Sequence, residues 1–232
     1  SGTYLGDIVL DHSLTLVGSI LFGQRPILDG GNNSRVLEVT NNSDISIKDL
    51  IFSNGYSTSQ GGGAILASSG TLSIVECDFI GNSAQEIGGA IKFSGENIFI
   101  KNCYFDDNHS LSSNGGALEI YGGTIDSCSF VNNTANQSGG AINIKGNATI
   151  SRSLFVGNSS VSNGGAIAIE GAEANIINNT IYNNQSNFGG GISALNSSSS
   201  IVNTILWQNL AFSSGGQVYH SGSGDSVYEY CD

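Results

Sequence analysis

Apolar and polar residues alternate in short stretches along the whole chain, and Gly, Asn and Ser separate one stretch from the next. In one segment the stretches are 91–93, 98–100 and 103–105. Alternation over so few residues predicts short strands with one buried face, and the separating residues suit tight turns. No stretch keeps a helical period beyond one turn, which argues against helical repeats.

Two motifs recur about every 25 residues, and this regularity predicts the architecture. The first is Gly-Gly-Ala-aliphatic, which begins at Gly62, Gly88, Gly115, Gly139 and Gly164, with degenerate copies at Gly189 and Gly215. The second is Phe-x-x-Asn, which begins at Phe79, Phe105, Phe130 and Phe155 and continues at Ile181 and Leu206. Three short strands and three turns in each repeat describe one coil of a parallel β-helix.

The predicted fold is all-β: a single right-handed parallel β-helix of about nine coils, with about 25 residues and three short strands in each coil. Residues 1–232 form one domain, in which 1–55 make opening coils without the motifs and 56–232 make the motif-bearing coils. The segment 230–232 matches 76–78, which precedes an inward Phe. We therefore expect a β-helix that is open at both ends, with exposed strand edges.

Residues at equivalent positions should stack into columns along the axis of the helix. One inward column comprises Phe52, Phe79, Phe105, Phe130, Phe155, Ile181 and Leu206. Burying each such side chain contributes roughly 1.5–3 kcal/mol before entropy is subtracted. An Asn column comprises Asn82, Asn108, Asn133, Asn158, Asn184 and Asn209. We interpret it as structural, because Asn tolerates corner geometry and stacked amides bond to one another.

Three cysteines, Cys77, Cys103 and Cys128, fall on one column of successive coils, and Cys231 falls on it again. Leu50 shares the column, which predicts a buried, apolar site. Free thiols packed as small hydrophobes are one interpretation. A disulfide between successive cysteines is another, since stacked coils bring Cα atoms within bonding range, although the torsions are poor. A metal site is a third.

One outward column is apolar and follows the inward Phe series by one residue. It comprises Val131, Val156, Tyr182 and Trp207. Contiguous exposed apolar side chains often form a contact surface, and stacked aromatic rings suit sugar rings or a neighbouring protein. We predict a contact stripe here; incidental β-propensity on an outer face is the alternative.

The composition of the chain excludes some classes of partner. The net charge is −12, so neither nucleic acid nor an anionic membrane is expected as a partner. No apolar run is long enough to insert into a bilayer. Ten Asn-x-Ser/Thr sequons would permit glycosylation of a secreted chain. They begin at Asn32, Asn41, Asn108, Asn132, Asn136, Asn147, Asn158, Asn178, Asn184 and Asn196.

A catalytic site is not predicted. Asp106-Asp107 is the only adjacent acidic pair, and we interpret it as a solvated corner. Arg152 has no acidic residue close in register, and the three His residues lie on different coils. The sequence therefore predicts no catalytic residue, no metal ligand and no cofactor.

The repeated Gly-Gly-Ala-Ile and Phe-x-x-Asn motifs resemble the polymorphic outer-membrane-protein repeat of bacterial surface adhesins. Segments 8–18 and 26–31 look like the opening coils of secreted β-helix repeat proteins. The resemblance implies an extracellular or surface-displayed, non-enzymatic protein with a structural or adhesive role. Its partners would be flanking coils of a larger protein, neighbouring copies in a filament, glycans or cell-surface proteins. A carbohydrate-active or carbohydrate-binding β-helix is the alternative.

Overall fold

The computed structural model describes residues 2–95, 97–229 and 231. These residues form a parallel β-helix, in which each strand pairs with the equivalent strand one coil away. Three sheets contain nine strands each, so the predicted all-β fold and coil number are confirmed. Within the described residues, no helix is long and apolar enough to cross a membrane. Tyr230 and Asp232, which belong to the segment predicted to match 76–78, lie outside them.

Sheet A carries the inward Phe column. Its strands are Thr3–Leu5, Ile27–Asp29, Ile51–Ser53, Asp78–Ile80, Tyr104–Asp106, Ser129–Val131, Leu154–Val156, Thr180–Tyr182 and Ile205–Trp207. Sheet B begins after each Gly-Gly-Ala motif in the motif-bearing coils. Its strands are Ile8–Leu10, Leu37–Val39, Ile65–Ala67, Ile91–Phe93, Leu118–Ile120, Ile142–Ile144, Ile167–Glu170, Ile192–Leu195 and Val218–Ser221.

Sheet C follows sheet B in each coil. Its strands are Leu14–Val17, Ile45–Lys48, Thr71–Val75, Asn97–Lys101, Gly123–Asp126, Ala148–Ser151, Glu173–Ile177, Ser198–Val202 and Val227–Glu229. Seven coils add a short fourth strand between sheets A and B, beyond the three predicted. These strands form sheet D: Tyr56–Ser57, Ser83–Ala84, His109–Ser110, Thr134–Ala135, Ser159–Ser160, Gln185–Phe188 and Leu210–Ser214.

The predicted inward columns are in register and form one core. Five Phe rings, from Phe52 to Phe155, stack with centroids 4.7 to 4.9 Å apart and planes within 6° of parallel. An Ile column on sheet C, from Ile47 to Ile201, is fully buried in the same core. Like side chains therefore stack on like, coil after coil, as the repeat predicted.

The Gly-Gly pair of each motif meets two separate steric demands. The first glycine has a left-handed backbone, as in Gly139, where φ is 68°. At the second, Gly140, there is no room for a side chain, since a Cβ atom would lie 2.0 Å from the carbonyl oxygen of Gly165. The motif is therefore required by the corner between sheets D and B.

Candidate functional site

The outer face of sheet A carries two columns of side chains, one on each side of the buried Phe column. The first comprises Asp78, Tyr104, Ser129, Leu154, Thr180 and Ile205, and the second Ile80, Asp106, Val131, Val156, Tyr182 and Trp207. The predicted stripe Val131, Val156, Tyr182 and Trp207 thus occupies four successive rungs of one column.

The N-terminal part of this face is charged. Arg25 forms an ion pair with Asp78, and its Nη1 donates to the carbonyl oxygen of Glu76 at 2.7 Å. Burial raises the pKa of Asp78, although Arg25 opposes that shift. Tyr104 and Asp106 lie on the next rung, and burial together with Asp106 raises the pKa of Tyr104. The ionic side chains of sheet A therefore lie in this half of the face, among apolar residues such as Ile80.

The C-terminal part of the face is apolar and exposed. Trp207 is 60% exposed, Ile205 50%, Leu154 39% and Tyr182 37%, while Val156 is half-buried. Leu154 and Ile205 belong to the column on the other side of the Phe series and were missed from the sequence. The same period-2 alternation that identified Tyr182 and Trp207 would have found them, because they too point outward.

Exposed amides flank the apolar part of the face along both edges. On the edge next to sheet C, Asn178 and Asn203 occupy left-handed corners, and Asn203 Nδ2 donates to Asn178 Oδ1 at 2.6 Å. On the edge next to sheet D, Asn183 and Gln208 occupy equivalent corners. We define the contact surface as Leu154, Val156, Tyr182, Ile205 and Trp207 together with these four amides.

The Asn column lies inside the corner between sheets A and D and forms a continuous ladder. Asn108 Oδ1 accepts from both the backbone N and Nδ2 of Asn82 at 3.0 Å. Asn108 Nδ2 donates to the carbonyl oxygen of Phe79 at 3.0 Å and to Asn133 Oδ1 at 2.9 Å. The pattern repeats along Asn82, Asn108, Asn133, Asn158, Asn184 and Asn209.

The ladder contributes to the scaffold, because its amides are buried and paired with one another. At Asn209, Gln217 Oε1 accepts from Nδ2 at 2.7 Å, which accounts for Gln in the last, degenerate motif. Three of the predicted sequons begin at ladder residues, namely Asn108, Asn158 and Asn184, and these have no exposed surface. Those three cannot accept a glycan in the folded chain, so that part of the expectation is wrong.

A family model described as the right handed beta helix region matches residues 35–206. The match covers most of the chain. The chain belongs to the right-handed β-helix family. No curated protein and no solved structure matches it. The matched region of the β-helix includes the ladder through Asn184 and the contact surface up to Ile205.

The cysteine side chains of this column are buried in the β-helix, and their thiols make hydrogen bonds as well as apolar contacts. Cys77, Cys103 and Cys128 are free thiols, each donating to the carbonyl oxygen two residues earlier. Ser153 and Thr204 make the same bond on later coils. Each member follows a corner residue with positive φ, and Leu50 and the three thiols also pack in the apolar core, in agreement with the interpretation as free thiols packed as small hydrophobes.

We expect the thiols of Cys77, Cys103 and Cys128 to resist iodoacetamide in the folded β-helix, whereas the more exposed Cys231 reacts. Burial raises the pKa of Cys77 to about 12 and raises that of Cys103 as well, so little thiolate forms at these two, and burial shields Cys128 from the reagent. Peptide mass spectrometry before and after denaturation measures the protection. A disulfide-linked peptide joining Cys103 to Cys128, or alkylation of the three at the denatured rate, would contradict the expectation.

Arg152 does have an acidic partner, contrary to the expectation from sequence. Its Nη2 lies 2.5 Å from Asp126 Oδ1, Ser151 Oγ donates to the same carboxylate at 2.9 Å, and Lys101 Nζ lies 3.9 Å from Oδ2. Burial acts to raise the pKa of Asp126, but these bonds outweigh it and hold the pKa below its usual value. The pair was missed because Arg152 reaches diagonally to the preceding coil and not along its own column.

The adjacent acids Asp106 and Asp107 do not act as one unit. Asp106 lies on the outer face of sheet A, whereas Asp107 occupies a left-handed corner where its Oδ1 is 3.2 Å from His109 Nε2. His109 Nδ1 also lies 2.8 Å from Thr134 Oγ1. Among the described residues, no group of three His, Cys, Asp or Glu side chains is placed to hold a metal ion.

Glu119 is a buried carboxyl group on sheet B that the sequence pattern did not single out. Burial raises its pKa, although a 3.1 Å hydrogen bond from Asn143 Nδ2 and the charge of Lys145 oppose the shift. A raised pKa means that the folded chain binds this proton more tightly than the unfolded chain. Stability is then lost as pH rises from 4.5, the ordinary value, through the folded pKa.

We expect Glu119→Gln to be more stable than the wild-type chain at neutral pH and equally stable in acid below the ordinary pKa of Glu. The amide keeps the bond from Asn143 and removes the buried charge. Urea unfolding across a pH series measures the difference, with Glu173→Gln as the exposed control. A gap between the two midpoints that stays constant with pH would contradict the assignment.

Proposed function

We propose that this chain is an extracellular, non-enzymatic β-helix with a structural or adhesive role, and that it acts through the contact surface on sheet A. The observation that carries the proposal is the exposed column of Tyr182 and Trp207, with Ile205 half in solvent beside it. Exposing such side chains forgoes roughly 1.5–3 kcal/mol of burial each, and contiguous exposure of this kind is typical of interaction sites.

The resemblance to the polymorphic outer-membrane-protein repeat supports the same role. In that setting the β-helix is either part of a larger surface protein or a subunit that stacks end to end into a filament. Catalysis on a carbohydrate is the second candidate, and Asp78 and Asp106 on the charged half of sheet A favour it. The two candidates differ in whether a bound polymer is cut.

To test the proposal, the purified chain is incubated with immobilised acidic glycans, neutral glycans, proteins and copies of the chain itself, and its retention on each is measured. We expect retention on at least one class, with no reducing ends and no unsaturated products released. Trp207→Ala should abolish retention, whereas Tyr121→Ala, which removes an exposed ring elsewhere, should leave it unchanged. Retention on no class, equal retention by both variants, or release of products would each overturn the proposal.

A further inference from the structure

We infer that the contact surface binds a neutral, extended polysaccharide that lies along the axis of the β-helix. This inference rests on the proposed function and names the class of its ligand.

Most of the contact surface, from Asn178 to Gln208, sits in a part of the chain without ionic side chains. Residues 174–224 contain no Asp, Glu, Lys or Arg, although the whole chain has 19 acidic and 7 basic residues. The charged groups of sheet A, Asp29, Asp78 and Asp106, and Arg25 beside them all lie toward the N-terminal end. Arg152, at the corner beside Leu154, is already paired with Asp126. A carboxylated, sulfated or phosphorylated ligand would therefore find no unpaired cation beside the rings, and the net charge of −12 would repel it.

The rings are arranged for a periodic ligand. Tyr182 and Trp207 are partners on neighbouring strands, and Val156 continues the column one rung earlier. Parallel strands repeat about every 4.8 Å, so a polymer lying along the axis meets a similar apolar group at each rung. A chain of sugar rings offers such a repeat, and the apolar face of each ring can pack on an aromatic side chain.

The flanking side chains suit hydroxyl groups. Asn178 and Asn203 line one edge of the surface, and Asn183 and Gln208 line the other, all of them exposed. An amide both donates and accepts hydrogen bonds, as a sugar hydroxyl does. The apolar part of the surface is two columns wide, with amides on both edges, whereas a protein interface of ordinary size buries about 800 Å² on each partner. A strip of this shape, with hydrogen-bonding groups along its length, favours a glycan over a protein.

The experiment measures retention of the chain on insoluble cellulose, mannan and β-1,3-glucan, with polygalacturonate and alginate as acidic probes. We expect retention on at least one neutral glycan and on neither acidic one. Trp207→Ala should weaken it at least about tenfold, as expected when a buried aromatic contact is lost. Retention should not change with salt, because no charges pair. Tyr121→Ala is the matched control.

The outcomes separate this inference from the proposed function. Retention on an acidic glycan, on a protein or on the chain itself, lost in Trp207→Ala, overturns the inference and leaves the proposed function standing. No retention on any neutral glycan likewise overturns the inference. Neutral-glycan binding that Trp207→Ala leaves intact overturns both, since the ligand would then bind elsewhere. Circular dichroism of each variant checks that the fold is unchanged.

Discussion

Replacing Asn133 with leucine is expected to lower the free energy of unfolding by about 4 kcal/mol. The side chain has no exposed surface and makes four hydrogen bonds in the ladder. Its Oδ1 accepts from the backbone N and Nδ2 of Asn108 at 3.0 and 2.9 Å, and its Nδ2 donates to Phe105 O at 3.1 Å and Asn158 Oδ1 at 2.9 Å. Leucine has the same branched shape but satisfies none of these groups.

The cost arises mainly from the groups left behind. The backbone N–H of Asn108 loses its acceptor in a site that water does not reach, and an unpaired buried group costs about 1–3 kcal/mol. The other three lost bonds add about 1 kcal/mol each at most. Urea denaturation followed by circular dichroism measures the change. Asn175→Ala, at an exposed position on a sheet C strand, is the control and should be nearly neutral.

A second variant distinguishes lost hydrogen bonds from altered packing. Asn133→Asp keeps the shape and the acceptor for Asn108 but places a carboxylate in the buried ladder. We expect it to be destabilised at neutral pH and to regain part of the loss in acid, where the carboxyl is neutral. If Asn133→Leu proves as stable as Asn175→Ala, or if Asn133→Asp shows no recovery in acid, the ladder does not stabilise the fold as described.

Most of the fold could be predicted because the repeat fixes register as well as secondary structure. Once Phe79, Phe105 and Phe130 are taken as one inward column, the alternation along each strand shows which neighbouring residues point inward and which point outward. The short strands of sheet D were not predicted. They are two residues long in most coils, as in Ser83–Ala84, and so carry no alternation to detect.

The candidate site could be predicted only in part. The stripe ending in Tyr182 and Trp207 was found because it lies along one column, where equal spacing reveals it. Contacts that cross columns escaped detection, as the pair of Arg152 with Asp126 illustrates. The burial of an outward residue was not predicted either. Glu119 lies at an outward position of sheet B, yet it is almost completely buried. The local sequence pattern does not show that other residues cover this side chain.

The Gly-Gly motif allows a prediction about a single methyl group. We expect Gly140→Ala to destabilise the β-helix by about 3 kcal/mol or more, toward the upper end for overpacking. The added Cβ would lie 2.0 Å from the carbonyl oxygen of Gly165 and 2.6 Å from the backbone N of Ser159. Both atoms belong to backbone in the next coil, so no rotamer change can relieve the contact, and the paired strands must separate.

A matched variant isolates this steric cost from the conformational cost of losing glycine. Gly171 has a φ of 63°, and a Cβ added there would meet nothing within 4 Å, so Gly171→Ala should cost only about 1–2 kcal/mol for the left-handed backbone. Gly140 has no positive φ, and its cost is therefore purely one of space. Thermal unfolding of the two variants in parallel compares them. If Gly140→Ala were as mild as Gly171→Ala, close approach of the coils would not explain why the motif has a second glycine.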